Sequence, residues 1–241
     1  MIRAIIIDDE RLARAELRRL LLAHVEIELV GEAAHIDEAL QLIEALQPNL
    51  IFLDVQMPGG SGFDLLAQLD TAPDVIFTTA FDAYALKAFE VNALDYLQKP
   101  IESKRLAAAL DRARQRSQPS ALLTPTAPHQ KRVEHKIFIK DGDRCWFVAL
   151  ADIILFESEG NYARVYFQSN RPLMLRSLNQ LETRLDATQF FRANRRQIIN
   201  LNFINSVSAA DSGGLTIVMN NDLRIELSRR RAAEFRDISS L

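Results

Sequence analysis

LIFLDVQMPGGSG, residues 50–62, sets the reading of the N-terminal half. Its first four residues, Leu50 to Leu53, are an unbroken apolar run of strand length that stops at a carboxylate, Asp54, and an amphipathic stretch follows at 62–69. The same pairing recurs outward on both sides. Before it stand 2–7 then 10–23, and 27–32 then 37–46; after it stand 75–78 then 82–91, and 94–97 then 102–116. Strands alternating with helices of this length need crossover connections, and so a parallel sheet with helices on both faces. Five such units predict an α/β doubly wound domain on a five-stranded parallel sheet. Sheets of this kind bind ligands in the crevice beyond the carboxyl ends of their strands, so chemistry is expected there.

Those ends carry polar residues. Strand one ends in Asp8-Asp9-Glu10, strand three in Asp54, strand four in Thr78-Thr79, and Lys99-Pro100 follows strand five. Carboxylates converging without a counter-ion repel one another and raise their own pKa values, so a hard divalent cation is expected. Magnesium fits, with Asp8, Asp9, Asp54 and the backbone carbonyl of Gln56 as ligands. Lys99 offers a point positive charge, and Thr79 a hydroxyl donor, to an anionic group on Asp54. This set suits phosphoryl transfer to a carboxylate, which depends mostly on positioning and charge neutralisation. Taken singly, an aspartate at a strand end is commonly a cap or turn residue. The chemistry rests on the conjunction, since these residues come from the ends of four separate strands.

The chain has 241 residues, 48% of them hydrophobic, which is enough to give each of two halves a core. Its net charge of -3 conceals opposed halves: residues 1–118 hold 12 Lys/Arg against 19 Asp/Glu, whereas 119–241 hold 17 against 13. The lone Cys145 and the four histidines (His24, His35, His129, His135) share no metal-ligand spacing, so neither a disulfide framework nor a zinc site is expected. No window approaches the roughly 18 apolar residues that cross a bilayer, and no cleavable signal pattern precedes residues 2–7, so the expected location is the cytoplasm. SQPSALLTPTAPHQKRV, residues 117–133, carries three prolines and no periodicity, as a tether would. The expected divisions are 1–118, a linker at 119–133, and 134–241.

Beyond the tether the pattern is mostly β. Short runs lie at 136–140, 144–150, 153–157, 162–168, 172–175, 198–201, 204–207, 215–219 and 223–227. Helices are expected at 178–185 behind Ser177 and at 229–238 behind Ser228. Arginines cluster at element junctions: Arg164 in ESEGNYARVYF, Arg192, Arg195 and Arg196 in FFRANRRQIIN, and Arg229, Arg230 and Arg231 in IELSRRR. Arginines on such turns can reach phosphates and fork onto guanine edges, although charge runs are most often solvated faces. Ile153, Ile154, Phe156, Phe190, Phe191, Ile198, Ile199 and Ile225 read as core, Trp146 as packing, and Asn200 as a turn or backbone-bonding residue.

IIIDDERLAR, LIFLDVQMPGGSG, IFTTAFDAYALKAF and ALDYLQKPI make residues 1–116 resemble the receiver domain of two-component response regulators. The resemblance implies a flavodoxin-like fold in which Asp54 takes phosphate from a sensor histidine kinase. It also implies that Asp8 and Asp9 hold magnesium, that Thr79 and Lys99 contact the phosphoryl group, and that Tyr96 is the switch aromatic. The face around 82–91 and 94–97 becomes the expected surface of a phosphorylation-dependent homodimer. Arg11 stands where relatives often have proline. Residues 135–238 are similar to the LytTR-type DNA-binding domain through IILFESEGNY, LNQLETRL, FFRANRRQIINLNFI and LRIELSRRR. That implies loops in successive major grooves of double-stranded DNA, on a direct-repeat site. The matching contacts are Asn161, Arg164, Asn194, Arg195 and Arg230, with Arg196 and Arg229 beside them. Asn194 and Arg196 depart from the His and Ser common there, and Ala163 holds a position that contacts bases in some relatives. The expectation is a transcription factor rather than an enzyme. A magnesium-dependent phosphohydrolase working through an aspartyl phosphate, and an adaptor docking an acidic protein, stay open on the residues alone.

Overall fold

The computed structural model describes residues 1–80, 93–117, 135–142 and 144–239. They form two compact units, Met1–Val148 and Ala149–Leu241. The helix expected at 82–91 and the tether expected at 119–133 lie outside the described residues.

The first unit contains β1 (Ile2–Ile7), β2 (Ile27–Ala33), β3 (Leu50–Asp54), β4 (Gln56–Met57), β5 (Gly60–Ser61), β6 (Asp74–Thr79) and β7 (Asp95–Gln98). Its helices are α1 (Arg11–Leu21), α2 (Ile36–Leu46), α3 (Gly62–Gln68) and α4 (Ser103–Ser117). Five strands pair in parallel in the order β2-β1-β3-β6-β7. Strand side chains alternate between the two faces, and the alternation sorts the core into two layers. Ile5, Ile7, Ile51, Leu53, Val75 and Phe77 pack with Ala39 and Ile43 of α2 and Leu65 and Leu66 of α3. Ala4, Ile6, Leu50, Phe52 and Ile76 pack with Leu17 and Leu21 of α1 and Leu106 and Leu110 of α4. Because both faces are covered, the strands read as continuous apolar runs, and all five residues of β3 are buried. The chain leaves β1 toward β2 on one side and β3 on the other. The reversal opens a crevice where the carboxyl ends of β1 and β3 meet.

A hairpin of β8 (Lys136–Asp141) and β9 (Arg144–Ala149) packs with this first unit, although the β-rich pattern groups it with the second half. The cause is Phe138, which is 1% exposed in the same cluster as Phe63 and Phe77.

The second unit begins with β10 (Leu155–Glu159), β11 (Tyr162–Tyr166), β12 (Leu173–Met174), β13 (Phe190–Asn194) and β14 (Gln197–Asn200), joined in the order β12-β11-β10-β14-β13. A three-stranded sheet follows, of β15 (Ile204–Ala209), β16 (Leu215–Met219) and β17 (Arg224–Leu227). The helices are α5 (Leu178–Glu182) and α6 (Arg229–Ser239). Ser177 caps α5 in a reciprocal box with Gln180, and Ser228 Oγ accepts from the Arg231 N–H at 3.4 Å at the start of α6. Strand β13 is absent from the expected strands. Phe190 packs on Phe156, with ring centroids 5.8 Å apart, while its neighbour Phe191 faces Phe235 at 5.5 Å. With both faces buried, FFRAN has no polar alternation to reveal it.

Candidate functional site

The acid crevice is built from strand ends. Asp8 follows β1 and Asp54 closes β3; both are buried, while Asp9 is half-buried. One carboxylate oxygen from each of Asp8, Asp9 and Asp54 lies within 4.8 Å of the others. Lys99 enters from beyond β7, where its N–H donates to the Thr79 carbonyl at 2.9 Å. Its Nζ stands 2.7 Å from Asp54 Oδ2 and 2.8 Å from Asp8 Oδ2. The Gln56 N–H donates to Asp54 Oδ1 at 3.1 Å, and the Glu10 N–H to Asp8 Oδ1 at 2.9 Å. Arg14 Nη1 donates to the Asp8 carbonyl at 2.7 Å, which braces the β1–α1 turn. The cleft over these groups is lined by Asp9, Asp54, Gln56, Ser61, Thr79 and Lys99, among others.

Burial pushes the Asp8 carboxyl above the ordinary aspartate value despite the Lys99 hydrogen bond. Burial also works against the Lys99 ammonium, but its hydrogen bonds to Asp54 and Asp8 outweigh that and hold its pKa above the usual lysine value. Lys99 therefore stays charged and occupies the ground between the two aspartates. The donor set of three carboxylates is hard oxygen, the kind that suits a hard divalent cation rather than a soft metal.

Glycine at 62 is a steric requirement of this crevice. A Cβ there would sit 2.4 Å from the Asp54 carbonyl oxygen and 2.9 Å from Leu53 Cγ. The short β4–β5 ladder, with Gln56 opposite Ser61 and Met57 opposite Gly60, folds the loop back over the acids and delivers the chain to α3. Ser61 then caps α3, and Asp64 returns the bond to the Ser61 N–H.

Thr79 is 1% exposed at the end of β6, and Tyr96 lies opposite Phe77 on β7. Thr79 is two residues beyond Phe77, so Thr79 and Tyr96 belong to one face of the sheet. A feature that sequence reasoning missed pins that strand. Asp95, 5% exposed, takes a fork from Arg105 at 2.7 and 3.0 Å and a second arginine, Arg112, at 2.6 Å. Arg105 also donates to the Tyr96 carbonyl at 3.0 Å. Burial opposes the Asp95 charge, but the arginines and the Tyr96 N–H hold its pKa below the ordinary value.

In the second unit the arginines divide into two kinds. Arg192 is mostly buried and donates to the carbonyls of Asn194 at 2.7 Å and Arg195 at 2.9 Å, bracing the β13–β14 turn. Arg231 lies over the Phe191 ring, 5.6 Å from its centroid, and pairs with Glu234. Arg195, Arg196, Arg229 and Arg230 are exposed. Asn194 builds its turn, accepting from the Arg196 N–H at 2.8 Å and donating to Gln197 at 3.0 Å. Asn161 is exposed in the β10–β11 turn, and Arg164 on β11 pairs with Glu159 at 2.6 Å. The Ser158 N–H donates to the Arg196 carbonyl at 2.7 Å, which brings the β10–β11 end beside the β13–β14 turn. One cleft lined by Asn194, Arg195, Ser228 and Arg231 joins that turn to the start of α6. All three clusters thus gather along one edge. Ala163 is fully buried opposite Met174, so its side chain belongs to the core. Asn200, also fully buried, donates to the Ile153 carbonyl at 2.7 Å and accepts from the Asn202 N–H, as a backbone-bonding residue.

Two family models match the chain: the response regulator receiver domain over residues 4–111 and the LytTr DNA-binding domain over 143–240. The chain is 37% identical over 240 residues to the transcriptional regulatory protein BtsR of Salmonella typhi, covering 95% of each chain. It is 34% identical to the sensory transduction protein LytT of Enterococcus faecalis, with 97% of each covered. It is 31% identical to the LytT of Bacillus subtilis, with 99% of each covered. A parallel sheet with an acid crevice, followed by a β module with a basic edge, defines a response regulator of two-component signalling. Within that class the chain belongs to the family that joins a receiver to a LytTR DNA-binding domain. No described helix is long and apolar enough to cross a membrane.

Proposed function

We propose that Asp54 is the phospho-acceptor and that its phosphorylation controls DNA binding by the second unit. The observation that carries this reading is the convergence of Asp8, Asp9 and Asp54 around the Lys99 ammonium. The three carboxylates and the Gln56 carbonyl would hold magnesium, which would supply positive charge to the phosphoryl oxygens. A carboxylate oxygen of Asp54 bonds to phosphorus as the P–N bond to a kinase histidine breaks, and the imidazole nitrogen keeps the electron pair. Lys99 then exchanges a carboxylate partner for a phosphoryl oxygen, and the Thr79 hydroxyl donates to another. Thr79 drawn toward the new charge frees space on its face of the sheet for Tyr96, the switch aromatic. The partners on this reading are a sensor histidine kinase in the cytoplasm, a second copy of the chain once phosphorylated, and double-stranded DNA with a direct repeat. Asn161, Arg164, Arg195, Arg196, Arg229 and Arg230 reach the DNA, while Asn194 shapes the loop that presents its neighbours.

The test is incubation with acetyl phosphate and magnesium, followed by intact-mass and peptide analysis. A single stoichiometric addition on Asp54, absent from Asp54→Asn, is expected. Continuous phosphate release without a labelled state would identify a phosphohydrolase instead.

A further inference from the structure

Strand β8 falls outside both family matches, which end at residue 111 and resume at 143. It is nonetheless built into the receiver's core. Phe138 stacks on Phe63 of α3 at 6.2 Å between centroids and meets Phe147 of β9 edge-on at 5.0 Å. Cys145 and Phe147, on one face of β9, pack against the same cluster. The Ala72 N–H, just past α3, donates to the Lys136 carbonyl at 2.9 Å. On the opposite face of β8, Ile137 and Ile139 are 6% and 0% exposed, so the strand is gripped from both sides.

A polar chain runs from this hairpin to the acid crevice. Lys140 pairs with Asp64 Oδ1, and Asp64 Oδ2 accepts from the Ser61 N–H at 2.8 Å and from Ser61 Oγ at 2.6 Å. Ser61 borders the cleft over Asp54, and Gly62 lies against the Asp54 carbonyl. We propose that hairpin 136–149 is the receiver's output arm: Phe138 seats it on α3, and the Lys140–Asp64–Ser61 chain passes movement of the loop beside Asp54 into β8, whose partner β9 leads to the DNA-binding unit. The proposal rests on the phospho-acceptor reading of Asp54. A phosphoryl group of about -1.5 to -2 charge in place of the Asp54 carboxylate acts first on the loop that folds over it, and Asp64 and Lys140 stand next in line. From β9 a single 3-10 turn, Leu150–Asp152, leads to the strand pair of β10.

The test uses the full chain with magnesium and acetyl phosphate, in wild type, Lys140→Met and Phe138→Ala. Occupancy of Asp54 is read by mass spectrometry, and hydrogen exchange is read over 62–68 and 136–141. Affinity is measured for a duplex selected from a random pool by the wild-type chain. On labelling, exchange in α3 and β8 should change together in wild type. Lys140→Met should keep the label but lose the response in β8, and its labelling-dependent gain in affinity should shrink about twofold to fivefold, the scale of a part-exposed ion pair. Phe138→Ala should raise exchange in α3 before any phosphodonor is added. Full labelling of Lys140→Met with an undiminished gain, or unaltered α3 exchange in Phe138→Ala, overturns the output arm. If Phe138→Ala fails to fold, Lys140→Met decides. Absence of label on wild-type Asp54 removes the phospho-acceptor reading itself, and the output arm with it.

Discussion

At the scale of single residues, the site is a competition for negative charge. Lys99 neutralises Asp8 and Asp54 in the crevice where a divalent cation would also do so. Replacing it with methionine leaves two buried carboxylates facing each other, and magnesium should relieve the repulsion. Thermal unfolding should therefore show a larger magnesium-dependent rise in Tm for Lys99→Met than for wild type; equal rises would mean that the metal does not sit among these acids. Asp95 is held by two arginines, so losing one leaves it weakened rather than orphaned. Arg105→Ala should cost about 1–3 kcal/mol by denaturant titration, with Arg112→Ala costing less because it lacks the fork. The acidic trio was legible because its members stand at the ends of two apolar runs, Asp8 and Asp9 after β1 and Asp54 closing β3. The Asp95 clamp was not, because its arginines lie 10 and 17 positions along the chain and meet it only when α4 packs beneath β7. Arg192 was likewise grouped with its exposed neighbours, since sequence distinguishes no arginine that braces a turn from one that faces out.

At the scale of elements, α3 is the hinge between crevice and hairpin. Gly62→Ala should destabilise the receiver by about 1–3 kcal/mol, because the added methyl meets the main chain of Asp54 rather than a flexible side chain. Asp64 gives α3 a pH signature. Burial works against its charge, but the hydrogen bonds from Lys140 and Ser61 outweigh it and lower its pKa from 3.8 to about 2. A carboxylate depressed in the folded state adds stability above its unfolded pKa and loses it as pH falls through the folded one. The Tm difference between wild type and Lys140→Met should be full above about pH 5 and should close toward about pH 2. Both side chains are more than a third exposed, so salt should narrow the difference as well. The elements themselves were largely readable: the five strands of the parallel sheet and both caps of the β module, Ser177 and Ser228, stand where apolar runs and cap residues put them. Strand β13 escaped because two adjacent phenylalanines serve opposite faces, which erases the period that reveals a strand.

At the scale of the molecule, the two halves carry opposite charge for different ends. The acidic half gathers carboxylates in one crevice, and the basic half gathers arginines along one edge. That division predicts separable defects. Arg230→Ala, a side chain 87% exposed, should lower the slope of log affinity against log salt by about one unit and leave stability unchanged. Arg192→Ala should instead lower the Tm of the second unit, because the turn carrying Arg195 loses its brace. Composition showed the split but not that Phe138 of hairpin 136–149 packs in the cluster of Phe63 and Phe77, although the hairpin's second strand lies within the LytTr match.

The central claim is that charge added at Asp54 governs the basic edge. It is tested most directly by equilibrium titration of the selected duplex at fixed salt, with and without acetyl phosphate, in wild type and Asp54→Asn. The phosphodonor should change affinity in wild type alone. The same change in Asp54→Asn, or no change in a wild-type sample verified as labelled, would contradict it.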